Sequence, residues 1–139
     1  MNSKYRIPGP IVTEPTQNDS SPQQAVLHIC KRDMLRPLRD QLLRLSGYHV
    51  DSTLGVAEAL SVFPTRPYDL VLIDVEGQYG VEEAEKLCSA LRTIHQGQLI
   101  AFVCNWRVAI QSECPNDIVR TEFDPAAFVA GVEGVLKKN

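Results

Sequence analysis

Three side chains that could take part in a reaction lie at the ends of apolar runs in this sequence. Asp74 closes the run at residues 69–74, Cys30 ends an apolar run near the start, and Cys104 follows another at 99–103. A carboxylate beside a thiol is one arrangement for nucleophilic catalysis, but a catalytic thiol needs a neighbouring base, usually a histidine. The question is therefore whether the chain supplies that base.

The three histidines are poorly placed for this role. His28 lies inside the first predicted strand, His49 begins the second, and His95 ends a predicted helix. The turns after the first and fourth strands also contain no glycine, which argues against a glycine-rich phosphate loop. We interpret the histidines as structural or solvated and predict that the chain is not an enzyme.

Charge and composition exclude other classes of function. The formal net charge is −3 and the sequence pI is 5.6, so there is no basic surface to bind nucleic acid. No stretch reaches the roughly 18 apolar residues of a membrane span, and the N-terminus lacks a signal-peptide core. We expect a cytoplasmic protein that binds neither nucleic acid nor membranes.

The four cysteines are widely spaced and form no Cys-x-x-Cys pair, so we expect reduced thiols. They are Cys30, Cys88, Cys104 and Cys114. Cys30 and Cys104 should end strands on either side of the strand that carries Asp74. Two strand spacings separate their Cα atoms by about 10 Å, beyond the usual disulfide limit of about 7 Å.

The chain divides into a tail and one α/β domain. Residues 1–24 contain four prolines among polar residues and predict a flexible N-terminal tail. Residues 25–139 alternate short apolar runs with helix-period segments. The predicted strands are 25–30, 48–53, 69–74, 99–103 and 117–121, and the predicted helices are 34–46, 56–63, 81–95, 107–113 (weak) and the segment from 125 onward.

Local patterns define the ends and inner faces of two helices. Asp33 and Asp124 are predicted N-caps. The first helix should bury Leu35, Leu38, Leu42 and Leu45. Alternating strands and helices predict an open parallel sheet covered on both faces, with functional groups at the carboxyl ends of the strands.

The run Pro67-Tyr-Asp-Leu-Val-Leu-Ile-Asp74 resembles the third strand of response-regulator receiver domains from bacterial two-component systems. Residues 45–50, 56–60 and 123–125 are similar to three further pieces of that family, in the same order. The resemblance covers about residues 25–138. It implies a flavodoxin-like (CheY-like), doubly wound sheet of five parallel strands in the order 2-1-3-4-5, with helices on both faces. It also identifies Asp74 as the position that accepts a phosphoryl group from a histidine kinase.

The acidic pair that holds Mg²⁺ in receiver domains is missing. Cys30 and Lys31 occupy those positions, and a soft thiol and a cation do not replace hard carboxylate ligands. We therefore predict neither a cofactor nor a metal site.

The groups that bind and sense the phosphoryl group are also replaced. Cys104 stands where the family has Ser or Thr, and Thr121 stands where it has Lys. Ile118 occupies the position of the aromatic switch residue. Of the phosphorylation machinery, only Asp74 remains.

Two functions fit these departures. In the first, the chain is a phosphorylation-impaired pseudo-receiver, in which Lys31 pairs with Asp74 in place of a metal. In the alternative, the chain is an atypical but functional response regulator phosphorylated on Asp74, and Glu76 helps Asp74 to hold a metal. Trp106 is interpreted as a lid over Asp74, a partner contact or an ordinary packing residue.

The chain ends within three residues of its last predicted helix, so we expect a stand-alone domain that acts through protein–protein contacts. The expected partner is a signalling protein, for which a histidine kinase is the candidate. A homodimer is a further expectation. Receivers commonly pair through their fourth helix, fifth strand and fifth helix, which points to Val108, Ile110 and the neighbours of Phe128.

Overall fold

The computed structural model describes residues 22–139. Most of the predicted tail, residues 1–21, lies outside this range. The strands are β1 (Ala25–Ile29), β2 (His49–Thr53), β3 (Leu70–Asp74), β4 (Ile100–Cys104) and β5 (Asp117–Arg120). The α-helices are α1 (Leu35–Leu45), α2 (Val56–Val62), α3 (Val81–Ile94) and α4 (Pro125–Lys138), with short 3₁₀ turns at Phe63–Thr65 and Gln78–Gly80.

The five strands form one parallel sheet in the order β2-β1-β3-β4-β5, as predicted. One core lies between the sheet and helices α2 and α3, and a second lies between the sheet and helices α1 and α4. Burial on both faces explains why the central strands are apolar at successive positions. Asp74 pairs in register with Val103, which places its carboxylate at the carboxyl edge of the sheet.

Helix α1 differs from its predicted form at its start and on its inner face. The N-cap residue is Met34, without a side-chain cap, and Asp33 instead forms an ion pair with Arg36. Leu38 and Leu45, which were predicted to be buried, are 62% and 75% exposed.

Two paired polar residues explain why helix α1 buries a different face from the predicted one. Arg39 and Asp40 are buried on its inner face together with Leu35 and Leu43. Both polar side chains have charged or polar partners in the interior, so their burial is compensated. A reading based on apolar spacing alone could not place them inside.

The predicted helix at 107–113 is absent, and residues 105–116 form an irregular connecting segment between β4 and β5. Side chains form hydrogen bonds with backbone amide and carbonyl groups of this segment, which in a helix would bond to one another. The Asn105 Oδ1 accepts a hydrogen bond from the Arg107 amide (2.8 Å), and Arg120 Nη1 donates to the carbonyls of Asn105 and Val108.

Val108, which was named for a dimer surface, is unsuited to that role. Its side chain is buried in the core, as is that of Phe128, so neither offers a contact surface. Phe128 belongs to α4, which begins as predicted. Asp124 caps this helix by accepting a hydrogen bond from the Ala127 amide (3.1 Å), and Pro125 occupies the first helical position.

The expectation of four reduced cysteines is wrong for one pair. Cys88 on α3 and Cys114 in the connecting segment form a disulfide, with Cα atoms 6.3 Å apart. Cys30 and Cys104 are free and buried. The pairing links two residues 26 positions apart, and sequence spacing alone could not identify it.

No helix within residues 22–139 combines the length and apolar character that a membrane span requires.

Candidate functional site

Asp74 is held on both carboxylate oxygens by two arginines. Arg32 donates from Nε to Oδ2 (2.9 Å) and from Nη2 to Oδ1 (2.7 Å). Arg39 donates from Nη1 to Oδ1 (2.8 Å). Only 4% of the Asp74 side chain is exposed. Such a two-point arginine–carboxylate contact is among the stronger polar contacts in proteins because it is charge-assisted and fixed in geometry.

The two arginines approach Asp74 from different elements. Arg32 lies in the turn after β1, the strand next to β3. Arg39 lies on the inner face of α1 and is 2% exposed, with its guanidinium 5.2 Å from the centre of the Phe128 ring. This cation–π contact helps to hold Arg39 in a position that few charged side chains occupy.

Glu122 completes this group. It follows β5 and accepts a hydrogen bond from Arg32 Nη1 at Oε2 (2.7 Å) and one from Asn105 Nδ2 at Oε1 (3.3 Å). Its carbonyl oxygen lies 3.4 Å from Arg39 Nη2. We call Arg32, Arg39, Asp74 and Glu122 the arginine clamp. Its two guanidinium and two carboxylate groups balance in charge.

The clamp favours the ionised form of its acids. Burial alone would raise the pKa of Asp74, but hydrogen bonds and charges from Arg32 and Arg39 outweigh it and hold this pKa below its ordinary value. The hydrogen bond from Arg32 lowers the pKa of Glu122. Burial opposes the charge of Arg32, yet its bonds to Asp74 and Glu122 raise its pKa overall.

The predicted pairing of Lys31 with Asp74 is wrong. Lys31 Nζ binds the Glu83 carboxylate at 2.8 and 3.0 Å, and 60% of its side chain is exposed. The residue that pairs with Asp74 is its neighbour, Arg32. The sequence signal that could have indicated a further cation at this edge of the sheet is Glu122, a second carboxylate that follows β5.

The residues at the clamp do not fit Mg²⁺. The two positions that would supply carboxylates hold a buried thiol and a lysine directed to Glu83, and both oxygens of Asp74 already accept hydrogen bonds from guanidinium groups. Glu76 is exposed and lines a cavity of about 230 Å³ beside Asp74. Within residues 22–139, no cluster of three or more metal-ligating side chains occurs.

The thiols near Asp74 are unsuited to nucleophilic chemistry. Burial raises the pKa of Cys30, and the negative charge of Asp74 adds to the effect. Burial likewise raises the pKa of Cys104. A neutral thiol is a poor nucleophile, so these two side chains act as apolar packing groups.

The other residues that the sequence indicated for the site form no hydrogen bond with Asp74. Thr121 is buried, and its hydroxyl contacts the Asp124 carbonyl (3.4 Å). Ile118 is partly buried and packs against the core beside α2 and α3. Trp106 is 79% exposed and lines a groove with β5 and α4, whereas the cavity beside Asp74 is lined by other residues.

A second buried polar pair lies behind the clamp. The His28 ring nitrogen Nδ1 is 2.8 Å from Asp40 Oδ1. Burial lowers the pKa of His28 despite the opposing effect of Asp40. His28 is therefore a neutral side chain of the core, which agrees with the structural role expected from the sequence.

The sequence matches no protein-family model, and the search of curated proteins finds no match either. Solved structures do match. The chemotaxis response regulator CheY4 of Vibrio cholerae aligns over 82% of this chain and 99% of its own, with a TM-score of 0.70 and 16% identity. The chain has the receiver fold.

Two further solved proteins align with this chain. The response regulator TrrA of Thermotoga maritima is 21% identical, in structures with Mg²⁺ and BeF (TM-score 0.68) and with the histidine kinase ThkA (TM-score 0.69). These structures align over 81% and 82% of this chain and 99% of TrrA. The second protein comes from a family of streptococcal redox sensors that evolved from two-component response regulators, with 18% identity and a TM-score of 0.70. The alignment with it spans 83% of this chain and 52% of the neighbour.

Proposed function

We propose that this receiver-fold domain is a two-component signalling module that works through protein–protein contacts and without phosphorylation of Asp74. The observation that carries the proposal is the contact of two arginines with both oxygens of Asp74. The fold alone does not decide between a phosphorylated and an unphosphorylated receiver, whereas the chemistry of this site distinguishes them.

Transfer of a phosphoryl group to Asp74 needs a free attacking oxygen and a cation that screens the incoming phosphate. In this chain the oxygens are occupied, and the cationic groups are part of neutral ion pairs. Breaking these pairs would leave buried charges without partners, which costs several kcal/mol. Cys104 and Thr121 also replace the hydroxyl group and the lysine that would hold the phosphoryl oxygens.

The arginines take over the electrostatic role that a metal has in a phosphorylated receiver. Because guanidinium groups are covalently part of the chain and always charged, the clamp keeps the domain in one conformation. The output of such a domain depends on which partner binds it, instead of on a phosphorylation equilibrium.

The comparisons support a protein partner. TrrA forms a complex with a histidine kinase, and another neighbour belongs to redox sensors that evolved from response regulators. Exposed apolar side chains lie near the carboxyl edge of this sheet, at Met34, Leu38, Trp106 and Phe123. We propose a histidine kinase or another two-component protein as the partner.

The test is the intact mass of the protein after incubation with acetyl phosphate and Mg²⁺. A competent receiver treated in parallel confirms the reagent, and Asp74→Asn is the matched control. We expect no added phosphoryl mass on the wild-type chain. A phosphoryl adduct on the wild type that is absent from Asp74→Asn would establish the alternative, an atypical phosphorylated response regulator.

A further inference from the structure

We propose that Cys88 and Cys114 are a reversible redox site, opened by a dithiol reductant, that fastens the connecting segment 105–116 to helix α3. The disulfide joins the end of this segment to a helix buried against the sheet. The segment forms neither a helix nor a strand, and a backbone hydrogen bond within it joins the Val108 amide to the Asn105 carbonyl (3.4 Å). The proposal is independent of the phosphorylation state of Asp74.

Arg92 keeps the two cysteines together whether or not they are bonded. It lies one turn after Cys88 on α3, on the same face of the helix. Its guanidinium donates from Nε (2.9 Å) and Nη2 (2.6 Å) to the Cys114 carbonyl and also contacts Asn116 Oδ1 (2.6 Å). After reduction these bonds hold Cys114 near Cys88, so the disulfide can form again. Arg92 is a positioning residue for this site.

Access differs between the two sulfurs. Cys88 is fully buried, whereas Cys114 is partly exposed. A thiolate of the reductant attacks the Cys114 sulfur, the disulfide breaks, and Cys88 leaves as a thiolate that takes up a proton. The second thiolate of the reductant then attacks the mixed disulfide and releases Cys114, which is also protonated. The protein gains two electrons and two protons, and the reductant becomes a disulfide.

Reduction removes the covalent attachment at one end of the segment. The remaining attachments include the Val108 side chain, which is buried in the core, and several hydrogen bonds. These bonds join Arg92 to Cys114, Gln78 to Ala109 twice (2.8 and 3.0 Å), and Arg120 to the carbonyls of Asn105 (3.0 Å) and Val108. The Gln78 bonds are exposed to water and therefore weak. The segment should open more often in the reduced form, and it contains the exposed residues Trp106 and Arg107.

The experiment compares the purified full chain before and after dithiothreitol in native buffer. Alkylation followed by intact mass counts the reduced cysteines, and limited trypsin digestion measures cleavage after Arg107. We expect two additional alkylated cysteines after reduction and cleavage about tenfold faster, because proteolysis follows the population of the open segment. Dilution of the reductant with oxidised glutathione should restore slow cleavage. Fluorescence of Trp106, the only tryptophan in the chain, gives an independent readout.

The variant Cys88→Ser/Cys114→Ser is the matched control. It should show fast cleavage in both conditions, and dithiothreitol should change neither its cleavage nor its Trp106 fluorescence. The proposal is overturned if the wild-type disulfide resists dithiothreitol until the protein unfolds. Equal cleavage of the oxidised and reduced forms, or a purified chain without this disulfide, would overturn it as well. None of these outcomes depends on the phosphoryl-mass experiment.

Discussion

Arg32 and Asp74 meet through two hydrogen bonds across 42 positions of sequence. The planar guanidinium matches both carboxylate oxygens, which a lysine ammonium cannot do. Arg32 also binds Glu122, so one side chain connects the ends of β3 and β5. The contact explains how the Asp74 carboxylate remains ionised although it is buried.

Arg39 should be essential for stability because its charge is buried against Asp74. We expect Arg39→Met to lower the free energy of unfolding by about 3 kcal/mol, since it leaves Asp74 with less compensation. Lys86→Met on α3 is the control, because its ion pair with Glu82 is exposed, and it should cost less than about 1 kcal/mol. Urea denaturation of the two variants measures the difference. Equal losses would argue against a special role for Arg39.

His28 should make the fold sensitive to mild acid. Its pKa in the folded state lies below the ordinary value of about 6.5, so below this pH the unfolded chain binds more protons than the folded one. The free energy of unfolding should therefore fall as the pH drops from about 7 to 5, by up to about 1.4 kcal/mol per pH unit.

Urea denaturation across this range tests the assignment to His28. The His28→Asn variant keeps a donor for Asp40 and should lose most of the slope, whereas His95→Asn, at an exposed position, should retain it. An unchanged slope in His28→Asn would assign the effect to other groups. Below about pH 4, protonation of Asp40, Asp74 and Glu122, whose pKa values are lowered, should cause a further loss of stability.

Two glycines of α4 should respond in opposite directions to alanine. A Cβ at Gly131 would lie 2.5 Å from Cγ1 of the buried Val119, whereas a Cβ at Gly134 meets nothing within 4 Å. We expect Gly131→Ala to destabilise the protein by about 1–3 kcal/mol and Gly134→Ala to stabilise it by about 0.5–1 kcal/mol. Thermal unfolding distinguishes them. Stabilisation by both variants would show that α4 can move away from β5.

The sheet was predictable because its strands are apolar at successive positions and alternate with helices in a regular order. The wrong predictions lie where polar side chains replace backbone or apolar contacts. Burial of Arg39 and Asp40 turns a different face of α1 to the core from the one its leucines predict. Arg120 and Asn105 form hydrogen bonds with backbone groups that would bond to one another in a helix after β4.

The location of Asp74 in the fold was predictable from the sequence, but the side chains that contact it were not. The place of Asp74 at the carboxyl edge follows from the strand pattern, and the missing metal ligands follow from Cys30 and Lys31. The choice between Lys31 and Arg32 depends on the path of the turn after β1, which residue spacing does not determine. A cationic partner for Asp74 was predicted correctly, but the residue is Arg32 and not its neighbour Lys31.

A double-mutant cycle between Arg32 and Asp74 tests the central claim most directly. The free energy of unfolding is measured for Arg32→Ala, Asp74→Asn and the double variant, with Lys31→Ala and Asp74→Asn as the parallel cycle. The clamp predicts a coupling energy of about 1–3 kcal/mol for Arg32, and a coupling within about 0.5 kcal/mol of zero for Lys31. A strong coupling of Asp74 to Lys31, with none to Arg32, would contradict the account.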